Sequence, residues 1–257
     1  MREEIGAHST WTLPVIGTVH SDTIYTTWLA MAVALVLLAY VGQSYRGPRV
    51  RKTQTVFEGI IDYIADLVHG SLGKEGEPFV PFFIALFIFI FLLNQFGVFP
   101  FKALGLPFGG SPTADLNTTV AFALLTWLTI QVTAIRKKGF VGAYKHIFVP
   151  PPDSPGGFVG VVLRVLLPPI NLLEEAVRPV TLAARLFFNI FVGELLFVVV
   201  ASVIVARVTI GPVNLSLGVA VMPFFIQFFN FFVGTVQAFV FTLLGIVYLS
   251  LATADEH

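Results

Sequence analysis

The sequence predicts an all-α, polytopic membrane protein, with about five membrane-crossing helices and one interfacial amphipathic helix. Of its 257 residues, 56% are hydrophobic and 12% charged, whereas a soluble domain carries about 25% charged residues. Mean hydropathy is +0.87. That much apolar surface does not fit inside one core of this size, so lipid must solvate a large share of it. The few charges are gathered in clusters between long apolar runs. One membrane domain over residues 1–257 accommodates the whole pattern. Formal net charge is zero, so no basic excess favours nucleic acid. The absence of Cys excludes disulfides, thiolate-bound zinc or iron–sulfur sites and thiol nucleophiles.

Residues 1–22 are polar, with Glu3, Glu4, His8 and His20 and no apolar core of a cleavable signal, so the first apolar run is expected to stay in the mature chain. That run, residues 23–45, holds 23 residues without a charge, enough to cross ~30 Å of hydrocarbon at ~1.5 Å per residue. Arg46, Arg49, Arg51 and Lys52 follow it at once, which by the positive-inside rule places this end in the cytoplasm and the N-terminus outside. Over residues 55–72, Val56, Ile60, Ile64, Leu67 and Val68 share one face, and Glu58, Asp62 and Asp66 point away from it. This is the pattern of a helix lying in the membrane interface.

Residues 78–101 form the second crossing and residues 116–135 the third, which ends at Arg136, Lys137 and Lys138 in agreement with the first orientation. Beyond a Pro-rich break at residues 150–157, the helix expected at 158–208 contains Pro168, Pro169 and Pro179, so kinks are expected. The last, at 217–251, carries no charge. Its roughly 35 residues reach about 50 Å, well beyond ~30 Å of hydrocarbon. The last two helices are therefore expected to be long and tilted, forming a hairpin with the C-terminus in the cytoplasm. No inverted repeat of the carrier kind is visible.

Chemistry concentrates in the fourth crossing. Arg185 and Glu194 stand in otherwise apolar sequence, where a central charge costs about 2.5–3.5 kcal/mol or more. Their nine-residue step amounts to roughly 180° of azimuth and ~13 Å of rise, so the two face opposite ways. Asn189 shares the arginine's face. Arg178 has Glu174 and Glu175 at helical spacing, but no acid stands three or four residues from Arg185. Its counter-charge is expected on another chain: a guanidinium that cannot lose its proton would hold a facing carboxylate ionised and drive off its proton. The bland reading is a buried structural ion pair within this chain. For Glu194 it is a protonated, hydrogen-bonded packing residue.

On the last helix Gln227, Asn230, Gly234 and Gln237 fall within about 80° of one another, a polar stripe among phenylalanines. Such a stripe serves either as adhesive between helices or as the lining of a hydrated path. The five histidines are scattered near ends and loops, so no metal site is expected. No nucleophile and base recur at usable spacing, and no phosphate-cradling glycine motif is present. Neither a cofactor nor bond chemistry is expected in this chain.

The segments PVTLAARLFFNIFVGELL and QAFVFTLLGIVYLSLATADEH, with PTADLNTT at residues 112–119 and LLNQFGVFP at 92–100, resemble subunit a of F-type ATP synthases, from residue 23 onward. The resemblance implies that Arg185 is the stator arginine facing the carboxylate of each c-subunit as the ring turns. It implies that Asn189, Glu194 and Gln237 occupy polar positions near the arginine and in aqueous half-channels. Asp115 and Asn117 would lie in the outer loop where protons are taken up. The implied partners are the c-ring, the peripheral-stalk b subunits and the rest of the complex, in a bacterial plasma membrane. Two positions depart from the family pattern. Phe188 stands where the family usually has glycine, and Asn230 stands where some members place a histidine paired with the glutamate, so Glu194 is expected to titrate differently or to rely on water. A transporter that binds an anion at Arg185 would work without a rotor, and in a purely structural anchor Arg185→Ala would alter stability alone.

Overall fold

A short antiparallel ribbon precedes the helices. Its strands, β1 (Thr10–Leu13) and β2 (Gly17–His20), pair with Thr10 opposite His20 and Leu13 opposite Gly17. The sequence reading left this stretch without structure, because two four-residue strands carry too few alternations to stand out. The ribbon gains support from its neighbour: Trp11 meets the Tyr25 ring edge-on, 5.3 Å between centroids. The computed structural model describes residues 10–13, 17–44, 52–99, 110–148, 158–205 and 216–254. Arg46, Arg49 and Arg51, the Pro-rich break at 150–157 and the connection at 209–215 lie outside them.

The membrane part is all-helical, as expected, and five helices are long and apolar enough to cross a bilayer. The first, α1 (Ser21–Ser44), buries Ala30 against Leu93 and Phe96 and leaves Trp28, Leu35 and Val36 exposed to lipid. Next comes α2 (Lys52–Leu72). Its apolar face buries Ile64 and Val68, with Ile60 and Leu67 packed against the core, and Asp62 and Asp66 are exposed. Val56, expected on that face, is exposed at the start of the helix, one turn short of the elements that cover the rest.

A 3₁₀ helix, Gly73–Phe79, turns the chain into α3 (Val80–Phe96). A 3₁₀ turn, Pro112–Ala114, leads to α4 (Leu116–Phe148). That helix runs past the basic cluster expected to close it, because lysine and arginine mark the edge of the bilayer without breaking a helix. The break comes at Gly139, whose φ of 73° and ψ of 166° suit a residue without a Cβ. Lys137 reaches Glu75 on the 3₁₀ helix, Nζ to Oε2 at 2.5 Å.

The last two helices are α5 (Phe158–Val205) and α6 (Ser216–Thr253), of 48 and 38 residues. They pack against each other, with α4 on one flank and α3 on the other. Helix α5 continues through Pro168, Pro169 and Pro179. At ~1.5 Å per residue the pair reach about 72 and 57 Å, so neither stands upright in ~30 Å of hydrocarbon. The core that fixes them joins Phe83 and Ile90 of α3, Leu182 and Leu186 of α5, and Phe241 and Leu249 of α6.

Candidate functional site

Arg185 sits on an exposed strip of α5. Thr181, Phe188, Val192, Leu196 and Val199, all exposed, lie within about 60° of its azimuth. The strip is thus apolar apart from Thr181, Asn189 at its edge and one guanidinium. Among the described residues Arg185 has no ion pair or hydrogen bond, in contrast to Arg178, whose Nη1 meets Glu175 Oε2 at 2.9 Å and whose Nη2 meets Glu174 Oε1 at 3.0 Å. Arg178 also lies 5.6 Å from the Tyr248 ring centroid. Of the two arginines, the structural ion pair belongs to Arg178. Phe188 is 57% exposed and meets the Phe187 ring edge-on, so its ring takes no inter-helix space.

Asn189, one turn beyond Arg185, is also exposed, yet its Nδ2–H donates to Gln237 Oε1 on α6 at 2.5 Å. Gln237 is 3% exposed, and its Nε2 has no partner among the described residues. Glu194 faces the other way, as the half-turn of azimuth requires. Its Oε1 accepts the backbone N–H of Ser111 at 2.6 Å. The carboxylate thereby reaches across to the 3₁₀ turn, 83 residues away in sequence.

The polar stripe of α6 is used throughout as adhesive. Gln227 donates to the carbonyls of Gly97 and Val98, Asn230 Nδ2–H donates to Gly193 O at 3.3 Å, and Asn94 Nδ2–H donates to Gly234 O at 2.9 Å. At Gly234 a Cβ would stand 3.1 Å from Asn94 Cβ, so the missing side chain permits the close approach of α3 and α6. Asn94, Asn189, Glu194 and Asn230 together line a cavity of about 20 Å³ open to a water's centre. That is room for a single water.

Asp115 and Asn117 stand at the ribbon end of the bundle. Asp115 caps α4: its Oδ1 accepts the Asn117 N–H at 2.9 Å, the N-cap geometry expected of an Asp before a helix. Its Oδ2 pairs with His20 Nδ1 at 2.6 Å and accepts the Thr23 hydroxyl at 3.2 Å. Burial raises the pKa of this 7%-exposed carboxyl, but the His20 hydrogen bond, the Asn117 N–H, the charge of the His20 ring and the Thr23 hydroxyl outweigh it and hold the value below the usual aspartate range. The Asn117 side chain is exposed, and its contribution to the site is its backbone N–H.

Four participants escaped the sequence reading. His20 and Thr23 were assigned to the outer segment and the start of a span, and Ser111 and Thr113 to a loop. Nothing local in their spacing points to these roles, because His20, Thr23 and Ser111 meet partners 83 or more residues distant and Thr113 meets Asn94 across 19. Asn94 sat in a quoted motif without a role. Among the described residues no group of three or more His, Cys, Asp or Glu could hold a metal ion.

The arrangement thus offers a cation without an ion pair among the described residues, on an exposed strip, and on the opposite side of the helix a half-buried carboxylate beside a small polar cavity. A family model described as the ATP synthase A chain matches residues 24–250, from the first crossing nearly to the end of the last, and the chain belongs to that family, the membrane-embedded proton-channel subunit of the F0 sector.

Proposed function

We propose that this chain is the stator of a rotary proton motor: it offers two aqueous half-channels to a turning c-ring and couples proton flow to ATP synthesis or hydrolysis. The observation that carries this reading is Arg185, exposed and without an ion pair among the described residues, on a strip of α5 that no described element covers. A guanidinium facing lipid is too costly to leave uncompensated. A partner helix that buries the strip and brings a carboxylate to Arg185 removes that cost. Because arginine stays protonated at any relevant pH, the pair makes the carboxylate release its proton on arrival, and the fixed positive charge bars a direct leak between the two half-channels.

In this reading the ribbon end faces outward, in keeping with Lys137 and Lys138 at the opposite end and the positive-inside rule. Protons enter by way of Asp115, with Asn117 beside it, pass the cavity between Glu194, Asn230 and Asn189, and load the ring. Gln237 supports a wet route, since its buried Nε2 is a donor that a water molecule would serve. Gln227 holds the α3–α6 seam that closes the cavity. The peripheral-stalk b subunits keep the chain from turning with the ring, and the soluble head of the complex carries the nucleotide chemistry. In this reading the chain works in a bacterial plasma membrane.

A cysteine introduced at Phe188 or Val192 tests the partner directly, because the native chain has none. Under oxidation either variant should cross-link to a cysteine placed one turn from the mid-membrane carboxylate of the c-subunit. Failure of both to cross-link in an assembled complex would place the ring elsewhere.

A further inference from the structure

Among the described residues Glu194 reaches toward the ribbon end through a backbone group. It meets the amide of Ser111, and that amide is held by a directed chain of hydrogen bonds. Asn94 Nδ2–H donates to the carbonyl of Gly234 at 2.9 Å, an atom that can only accept, so the amide orientation of Asn94 is fixed with Oδ1 toward Thr113. Thr113 Oγ1 must then donate its one proton to Asn94 Oδ1, 2.6 Å away. Having spent that proton, it is an acceptor toward Ser111 Oγ at 2.6 Å. Ser111 shares its own proton between Thr113 and the carbonyl of Leu93, the latter at 2.9 Å. The Asn94 and Thr113 protons each have one direction to run, and the Ser111 held by them presents its N–H to Glu194 Oε1, 2.6 Å away.

The surrounding backbone leaves space for this meeting and little more. A Cβ at Gly97 would stand 2.8 Å from Ser111 Cβ and 3.2 Å from Glu194 Oε1, closer than packed atoms tolerate. Ser111 and Thr113 are buried, as is Asn94, so the links are shielded from competition with water. Helices α3 and α6 carry no charged residue. The 3₁₀ turn leads directly to Asp115, paired with His20, and on α5 Arg185 faces away from Glu194.

We propose that Thr113, Ser111 and Asn94 are positioning residues for Glu194: they hold the Ser111 amide as the seat of its carboxylate and so fix its distance from the ring and from the outer cluster. Gly97 belongs to the same device as the position that must stay empty. This rests on the reading of Glu194 as a proton-transferring group. It also answers how the glutamate is held when Asn230 stands in the place of a histidine, since Asn230 bonds to the Gly193 carbonyl.

The test is a double-mutant cycle on ATP-driven proton pumping in membranes, with the amount of assembled complex measured for every variant. Glu194→Gln alone should slow pumping; unchanged pumping would overturn the role of Glu194 and with it the reading this proposal rests on. Thr113→Val, close to isosteric but unable to donate or accept, should slow pumping per assembled complex by about threefold to tenfold, the range of coupled residues in one network. Thr113→Ser should restore it. In the Glu194→Gln background Thr113→Val should have no further effect. Gly97→Ala, which pushes on the same contact from α3, should likewise lose its effect in that background. Should Glu194→Gln slow pumping while Thr113→Val multiplies that defect independently or leaves the rate per complex at wild type, Glu194 keeps its role and the positioning proposal is overturned.

Discussion

Arg185 lies within a membrane crossing and Asp115 just before one, and their surroundings treat these two charges oppositely. Arg185 is left on an open strip without an ion pair among the described residues, whereas Asp115 is buried among partners from β2, α1 and α4. The sign of the Asp115 effect follows from its lowered pKa. Its stabilising share is complete above the unfolded aspartate value of ~3.9 and is lost as pH falls through the lower folded value. Asp115→Ala removes the cap and the tie to His20 together and should cost about 1–2 kcal/mol. In thermal unfolding of the purified complex the deficit should be constant from neutral pH to about pH 5, then shrink once the wild-type carboxyl protonates. A deficit that grew on acidification would contradict the assignment. At this scale the sequence disclosed orientation but not partners. The opposition of Arg185 and Glu194 follows from 100° per residue, whereas the Ser111 amide is a backbone group whose place is set by packing between distant elements.

At the scale of elements, α6 is the seam of the molecule. Gln227, Asn230, Gly234 and Gln237 each bond to α3, to the segment after it or to α5. The sequence made the stripe visible and left its use open between adhesive and conduit. The structure adds the adhesive use, with a cavity along part of the stripe, because amides within reach of carbonyls on neighbouring helices form those bonds wherever water is scarce. Gly234 is where the seam is tightest. Gly234→Leu should force α3 and α6 apart and destabilise the complex by about 1–3 kcal/mol, as overpacking does, seen as a lower unfolding midpoint in detergent. Gly234→Ala, whose Cβ meets Gln95 Nε2 at 3.3 Å as well as Asn94, should fall between that and wild type. An unchanged midpoint for Gly234→Leu would mean that the helices do not meet there. The expected span ends at residue 135, where hydropathy marks the edge of the membrane, and α4 carries its helix on from there to the break at Gly139.

For the whole molecule, α5 and α6 are too long to stand upright in ~30 Å of hydrocarbon, and α5 leaves one strip exposed while its opposite side lines the cavity beside Glu194. The long apolar runs disclosed that architecture. The ribbon formed by Thr10–Leu13 and Gly17–His20 stayed hidden because strands of four residues carry too few alternations to stand out. The central claim is that Arg185 is the fixed charge past which the ring carboxylates turn. ATP-driven proton pumping by membranes carrying Arg185→Ala, with assembly of the complex verified, tests it most directly. The account predicts an assembled complex with no pumping above the uncoupled baseline, and pumping at the wild-type rate by that complex would contradict it.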